Sequence, residues 1–179
     1  MFNLFKKKER LIPVNDRVSM SDQARLHAML TLANTDPEAV FIFWFDESMS
    51  EAASFFESKG QKTTLYHARE VAGPHVSGKN IFFAEHYPLQ NREQELFEKL
   101  HLPVAIVYTS LTDPLFKQFG GERIIALMVT LGLDDEALIE HPLISKSIRN
   151  AQKKLGKKIS IEQPTHSATD WFERNLIDV

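Results

Sequence analysis

Asp46-Glu47, His67, Glu85-His86 and Thr109-Ser110 each follow or end a short run rich in apolar and β-branched residues. If those runs are parallel strands, the polar residues gather along the carboxyl edge of one sheet, where open α/β sheets hold their ligands. Asp46, His67, Glu85 and His86 then form a candidate cleft. Two carboxylates and two imidazoles on one edge suit acid–base work or a divalent cation. The competing roles are local: Asp46 caps the helix that follows it, and His86 satisfies a neighbouring backbone group. No His-x-x-x-His pair or comparable ligand spacing is present, so the sequence assigns no metal, cofactor or catalytic residue.

Residues 39–45 form an unbroken apolar run of strand length, the pattern of a strand covered on both faces. Residues 62–68, 80–84 and 104–109 read as further strands, with helices expected over 46–59 and 90–100 and a loop over 72–78. Gly60 is placed as a helix stop. Ser21 is a good N-cap for a helix carrying Leu26, Met29, Leu30 and Leu32, ended by Asn34-Thr35-Asp36-Pro37. Residues 11–20 read as a connector, since Pro13 and Asn15-Asp16 favour a turn. Strands alternating with helices predict an α/β fold with a parallel sheet flanked by helices. From residue 113 the chain is helical, in pieces near 113–118, 120–131 and 143–155. The tail, 156–179, brings Trp171, Phe172, Leu176 and Ile177 to dock on the domain. The expected division is an extension (1–14), an α/β domain (15–112), a helical extension (113–155) and this tail.

Composition removes several classes of function. The 179 residues carry 21 Lys and Arg against 24 Asp and Glu, a net charge of −3, which argues against a dedicated nucleic-acid binder. With no cysteine there is no disulfide framework, thiolate zinc site or cysteine nucleophile. Neither G-x-x-x-x-G-K-[ST] nor G-x-G-x-x-G occurs, and Gly120-Gly121 is followed at once by Glu122. No G-x-S-x-G elbow is present. Lys153-Lys154 and Lys157-Lys158 read as a solvated helix end. The start places Phe2, Leu4 and Phe5 before Lys6-Lys7-Lys8, the reverse of a secretory signal, so a cytoplasmic location is expected. Residues 1–10 are either a weak membrane-surface tether or a solvated terminus.

One region has a recognisable pattern. Ser110-Leu111-Thr112-Asp113, Phe119-Gly120, Leu131-Gly132-Leu133, Ile139-Glu140-His141-Pro142 and Ala151-Gln152-Lys153-Lys154 follow one another in order. This succession resembles the SecA preprotein translocase ATPase family, just after its second RecA-like motor domain. More faintly, Asp16-Arg17-Val18, residues 40–59 with Lys59-Gly60, and Glu85-His86 resemble the same domain upstream. The resemblance implies a RecA-like sheet over residues 15–112, followed by the start of the family's helical scaffold.

The departures matter as much. The family's glycine-arginine-glycine-threonine-aspartate motif has no counterpart in residues 69–79. Its arginine-rich segment, whose arginines reach the γ-phosphate, corresponds to residues 90–99. These hold one arginine, no glycine and three glutamates. No stretch matches the first motor domain with its phosphate loop and magnesium-binding acid. The resemblance therefore implies a non-catalytic module that binds a protein partner, such as a translocase component. Its candidate surface is Asp113, Gly120, Arg123, Glu140, His141 and Gln152. The same segment also spaces Leu115, Phe119, Ile124, Leu127, Met128 and Leu131 as a core-facing stripe, so recognition and packing both remain open. The alternative function is a small-ligand or nucleotide site in the strand-end cleft.

Overall fold

The computed structural model describes residues 11–117, 121–130, 132, 134 and 137–176. Among them five strands, β1 (Val14–Ser19), β2 (Ala39–Phe43), β3 (Thr64–His67), β4 (Asn80–Phe83) and β5 (Ala105–Ser110), form one sheet in the order β1-β5-β4-β2-β3. Every pairing is parallel. With its flanking helices this is a RecA-like α/β architecture. Residues 1–10, and with them the membrane-tether expectation, lie outside the described residues.

Side-chain alternation on β2 divides the core. Ala39, Phe41 and Phe43 pack with Met29 and Ala33 of α1 (Asp22–Thr35) and with Ala52 and Phe56 of α2 (Asp46–Ser58). Val40 and Ile42 pack with Val76 of α3 (Gly73–Val76) and with Leu96 and Phe97 of α4 (Gln90–Lys99). A third cluster lies at the carboxyl edge. There Val18, Phe45 and Leu111 meet α5 (Pro114–Lys117), α7 (Pro142–Lys158) and α8 (Ala168–Asn175). Helix α7 presents Ile144, Ile148, Ala151 and Leu155 to it, spaced for one helical face. Between α5 and α7 stands α6 (Gly121–Thr130), whose Ile124 and Ile125 pack on the same cluster.

Local signals read from the sequence act as expected at several points. Ser21 Oγ accepts from Ala24 N at 3.1 Å, capping α1. Gly60 adopts φ +68°, and Gly60 N and Gln61 N close α2 onto Glu57 O and Phe56 O.

Two readings are corrected. Residues 11–20 are no simple connector, because β1 pairs with β5 along its whole length. Its mid-strand Asn15-Asp16-Arg17 obscured it, and an edge strand does not need an unbroken apolar run. Its outer side is met by an antiparallel bridge, Val18 N donating to Ile139 O at 3.0 Å and Ile139 N to Val18 O at 2.8 Å. The loop expected over 72–78 holds the single-turn helix α3, and within 156–179 Ser167 caps helix α8. Trp171 and Phe172 are buried and Leu176 packs beside them, while Ile177 lies outside the described residues.

Candidate functional site

The chain moves from β1 to β2 and β3 in one direction across the sheet, then back through β4 to β5. The reversal lies between β4 and β2, where a parallel sheet opens a crevice at its carboxyl edge. Glu85, just after β4, fills it. Its Oε1 accepts from Trp44 N (2.8 Å), Phe45 N (3.0 Å) and Ser48 Oγ (2.7 Å), joining the end of β2 to the first turn of α2. Burial pushes its pKa up to about 7, with Asp113 adding to the rise and Arg25, Ser48 and the Phe45 N–H opposing it. Asp22, Arg25, Ser48, Glu51 and Asp113 line a small cavity of roughly 160 Å3 beside it.

His86 belongs to a different group. Its Nε2 lies 2.8 Å from Asp16 Oδ1 on β1, and its Nδ1 lies 2.8 Å from Glu93 Oε1 on α4, with all three side chains buried. Glu93 also accepts from Tyr87 N and from Gln152 Nε2 of α7, each at 2.8 Å. Burial opposes the imidazolium, but Glu93 and Asp16 outweigh it and hold the His86 pKa well above 6.5. For Asp16 the order is the same: burial raises its pKa, and His86, Ser145 and Arg149 more than reverse that. With both ring nitrogens engaged, His86 is a tie between β1, β4, α4 and α7.

Asp46 and His67 do come together, nearer the surface. Asp46 heads α2 without acting as its cap, and its carboxylate meets Arg69 Nη2 at 2.8 Å, His166 Nδ1 at 3.0 Å and His67 Nε2 at 3.6 Å. The His166 hydrogen bond lowers its pKa most, with Arg69 adding to it. Burial, then Arg69, lowers that of His67, whose Nδ1 accepts from Arg69 N at 3.1 Å. The four expected cleft residues thus occupy three settings. Among the described residues no group of three or more His, Asp or Glu side chains is arranged to hold a metal ion.

The residues between α7 and α8 run across this edge. Glu47 N, at the start of α2, donates to His166 O at 3.1 Å. Glu162 Oε1 accepts from Trp171 Nε1 at 2.7 Å and from the Tyr87 hydroxyl, and Oε2 meets Arg92 Nε at 3.2 Å. Beneath this strap lies a groove of roughly 460 Å3 between the ends of β2 and β3 and the outer face of α4. Asp16, Glu93, Arg69, Glu162 and His166 are the members that sequence reasoning missed. Their partners stand up to 120 residues away, beyond any local spacing signal.

The candidate interaction residues also separate. Glu140 is exposed and 3.5 Å from Arg17, and His141 caps α7 by accepting from Leu143 N at 3.2 Å. Asp113 and Gln152 are buried, Asp113 accepting from Leu115 N and Gln152 holding Glu93 and Tyr87 O. Gly120 and the Arg123 side chain lie outside the described residues.

No family model matches the chain. Individual proteins do. The protein translocase subunit SecA of Prosthecochloris aestuarii is 49% identical over 51 residues, 28% of this chain and 5% of that protein. The SecA 1 subunit of Alkaliphilus metalliredigens is 42% identical over 57 residues, 31% of the chain and 6% of the relative. The SecA of Desulforapulum autotrophicum is 54% identical over 48 residues, 27% and 6%. The matched stretch is thus a small fraction of each relative's length. About three tenths of this chain is SecA-like, and its RecA-like sheet has a crevice filled by the chain's own Glu85.

Proposed function

We propose that this chain is a non-catalytic SecA-like module that binds a component of the protein-translocation machinery. One observation carries the reading: the positions that would meet a phosphate are occupied from within. Helix α4, which stands where the resemblance places γ-phosphate-binding arginines, directs its one arginine to Glu162 and Glu95. A backbone carbonyl takes the Glu47 N–H in the first turn of α2, and a buried carboxylate fills the crevice. A carboxylate there repels phosphate and supplies no positive charge to a phosphoryl-transfer transition state. What the segment keeps is a helical surface, with Glu140 and His141 at the exposed start of α7.

The test uses the full chain in two measurements. Alone, it should turn over no ATP above a heat-treated control. Against immobilised SecA from Prosthecochloris aestuarii, biolayer interferometry should give saturable binding that Glu140→Arg weakens. ATP turnover by the chain itself, or a flat response to SecA, overturns the proposal. Among the described residues no helix is long and apolar enough to cross a membrane, so binding is measured without lipid.

A further inference from the structure

We propose that the groove beneath the strap binds a small planar aromatic carboxylate. This inference rests on the groove alone and goes beyond the translocation reading. The residues that matter are Trp44, His67, Tyr87, Arg92, Lys99 and Thr165. At roughly 460 Å3 the groove falls within the size range of small-molecule sites, and its lining is mainly apolar. The Trp44 and Tyr87 rings, with centroids 5.0 Å apart and tilted by 45°, form an aromatic wall against which a flat ring packs.

Two of these residues hold a buried polar atom that no described residue satisfies: Nε1 of Trp44 and Oγ1 of Thr165. Both atoms are sealed from solvent, so they belong to the wall of the groove and not to the face a ligand meets. Charge narrows the choice. Arg69 is held by Asp46 and Glu70, and Arg92 by Glu162 and Glu95. Lys99 Nζ donates to Val71 O at 3.0 Å and meets no carboxylate among the described residues. His67 contributes a neutral ring, since its pKa is lowered. The groove therefore offers aromatic faces and one ammonium without a counter-charge. That set suits a ring with a single carboxylate. A polyphosphate needs several uncommitted cations or N–H groups, which this groove lacks.

The experiment is isothermal titration of the full chain with 2-naphthoate, alongside 2-naphthalenemethanol as the neutral analogue. One saturable site is expected for the acid, with the alcohol and the Lys99→Gln variant each weaker by about tenfold. Lys99 is exposed at the end of α4, so its replacement leaves the fold intact, checked by circular dichroism. In two-dimensional NMR the acid should shift the indole N–H of Trp44 and leave that of Trp171, which is donated to Glu162, in place. Absence of saturable heat at millimolar acid overturns the proposal. So does an affinity unchanged in Lys99→Gln, equal binding of the alcohol, or an unmoved Trp44 signal. None of these outcomes bears on SecA binding, which is read separately.

Discussion

Burying Glu85 costs free energy whenever the group is ionised, and its three donors offset only part of that cost. Its folded pKa of about 7 stands above the ordinary 4.5. Between those values the folded state holds a proton that the unfolded chain has released. The stability Glu85 contributes is therefore full below about pH 4.5 and is lost as pH rises through 7, on the order of 3 kcal/mol in all. Glu85→Gln keeps Oε1 as acceptor for the same three donors and cannot ionise. Urea denaturation at pH 5 and pH 8 should show a large fall in stability for the parent and a clearly smaller one for E85Q. Equal falls would show that Glu85 titrates alike in both states. His86 acts with the same sign: its raised pKa gives stability that is complete below 6.5 and lost at a pH well above it. Asp16, with a depressed pKa, contributes above 3.8 and loses that contribution as pH falls below it. His86→Leu strands two buried carboxylates and should cost about 3–5 kcal/mol. Adding Asp16→Asn and Glu93→Gln to it removes those charges and should recover part of the loss, read as the midpoint of urea unfolding. A triple variant no more stable than H86L would contradict the ion-pair account.

Helix α2 turns sharply into the approach to β3 because Gly60 takes φ +68°, where a side chain is strained although nothing lies within 4 Å of an added Cβ. Gly60→Ala should therefore cost about 1 kcal/mol through the backbone alone, and Gly60→Asn less, both measurable as shifts in thermal midpoint. The elements legible in the sequence share that local character. β2 and the ends of α1 and α2 were readable because a strand covered on both faces is apolar throughout and because caps and stops act over a few residues. β1 was hidden because an edge strand buries Asp16 by pairing it with His86, 70 residues on. The site behaved likewise. Glu85 and His86 were placed at the strand end by their position alone, but their partners come from β1, α2, α4 and α7, which no spacing rule connects. The motif pattern alone places Asp113 and Gln152 on a surface, yet the helical segment folds onto the carboxyl edge and buries both.

At the scale of the whole molecule, the edge that a RecA-like sheet ordinarily leaves open is held shut from two directions. Within the sheet, Glu85 joins β4 to β2; across it, the strap is pinned by Glu162 and anchored by Trp171, which is fully buried beside Phe45 and Ile148. The two pins are of different kinds and should fail differently. Trp171→Ala opens a cavity in a shared cluster and should lower global stability by about 3–5 kcal/mol. Glu162→Gln keeps an acceptor for the Trp171 indole but removes the charge facing Arg92, in a pair half open to solvent, so its global cost should stay near 1 kcal/mol or below. Its effect should be local: the strap loosens, and the amide of Glu47, which His166 O protects, exchanges faster while those of β2 do not. Hydrogen exchange followed by mass spectrometry separates the cases. Uniform acceleration across the sheet in E162Q would mean that the strap is part of the cooperative core. Acceleration confined to the start of α2 would mean that it is a separately opening cover, and that access to the groove beneath it is set by the Glu162–Arg92 pair.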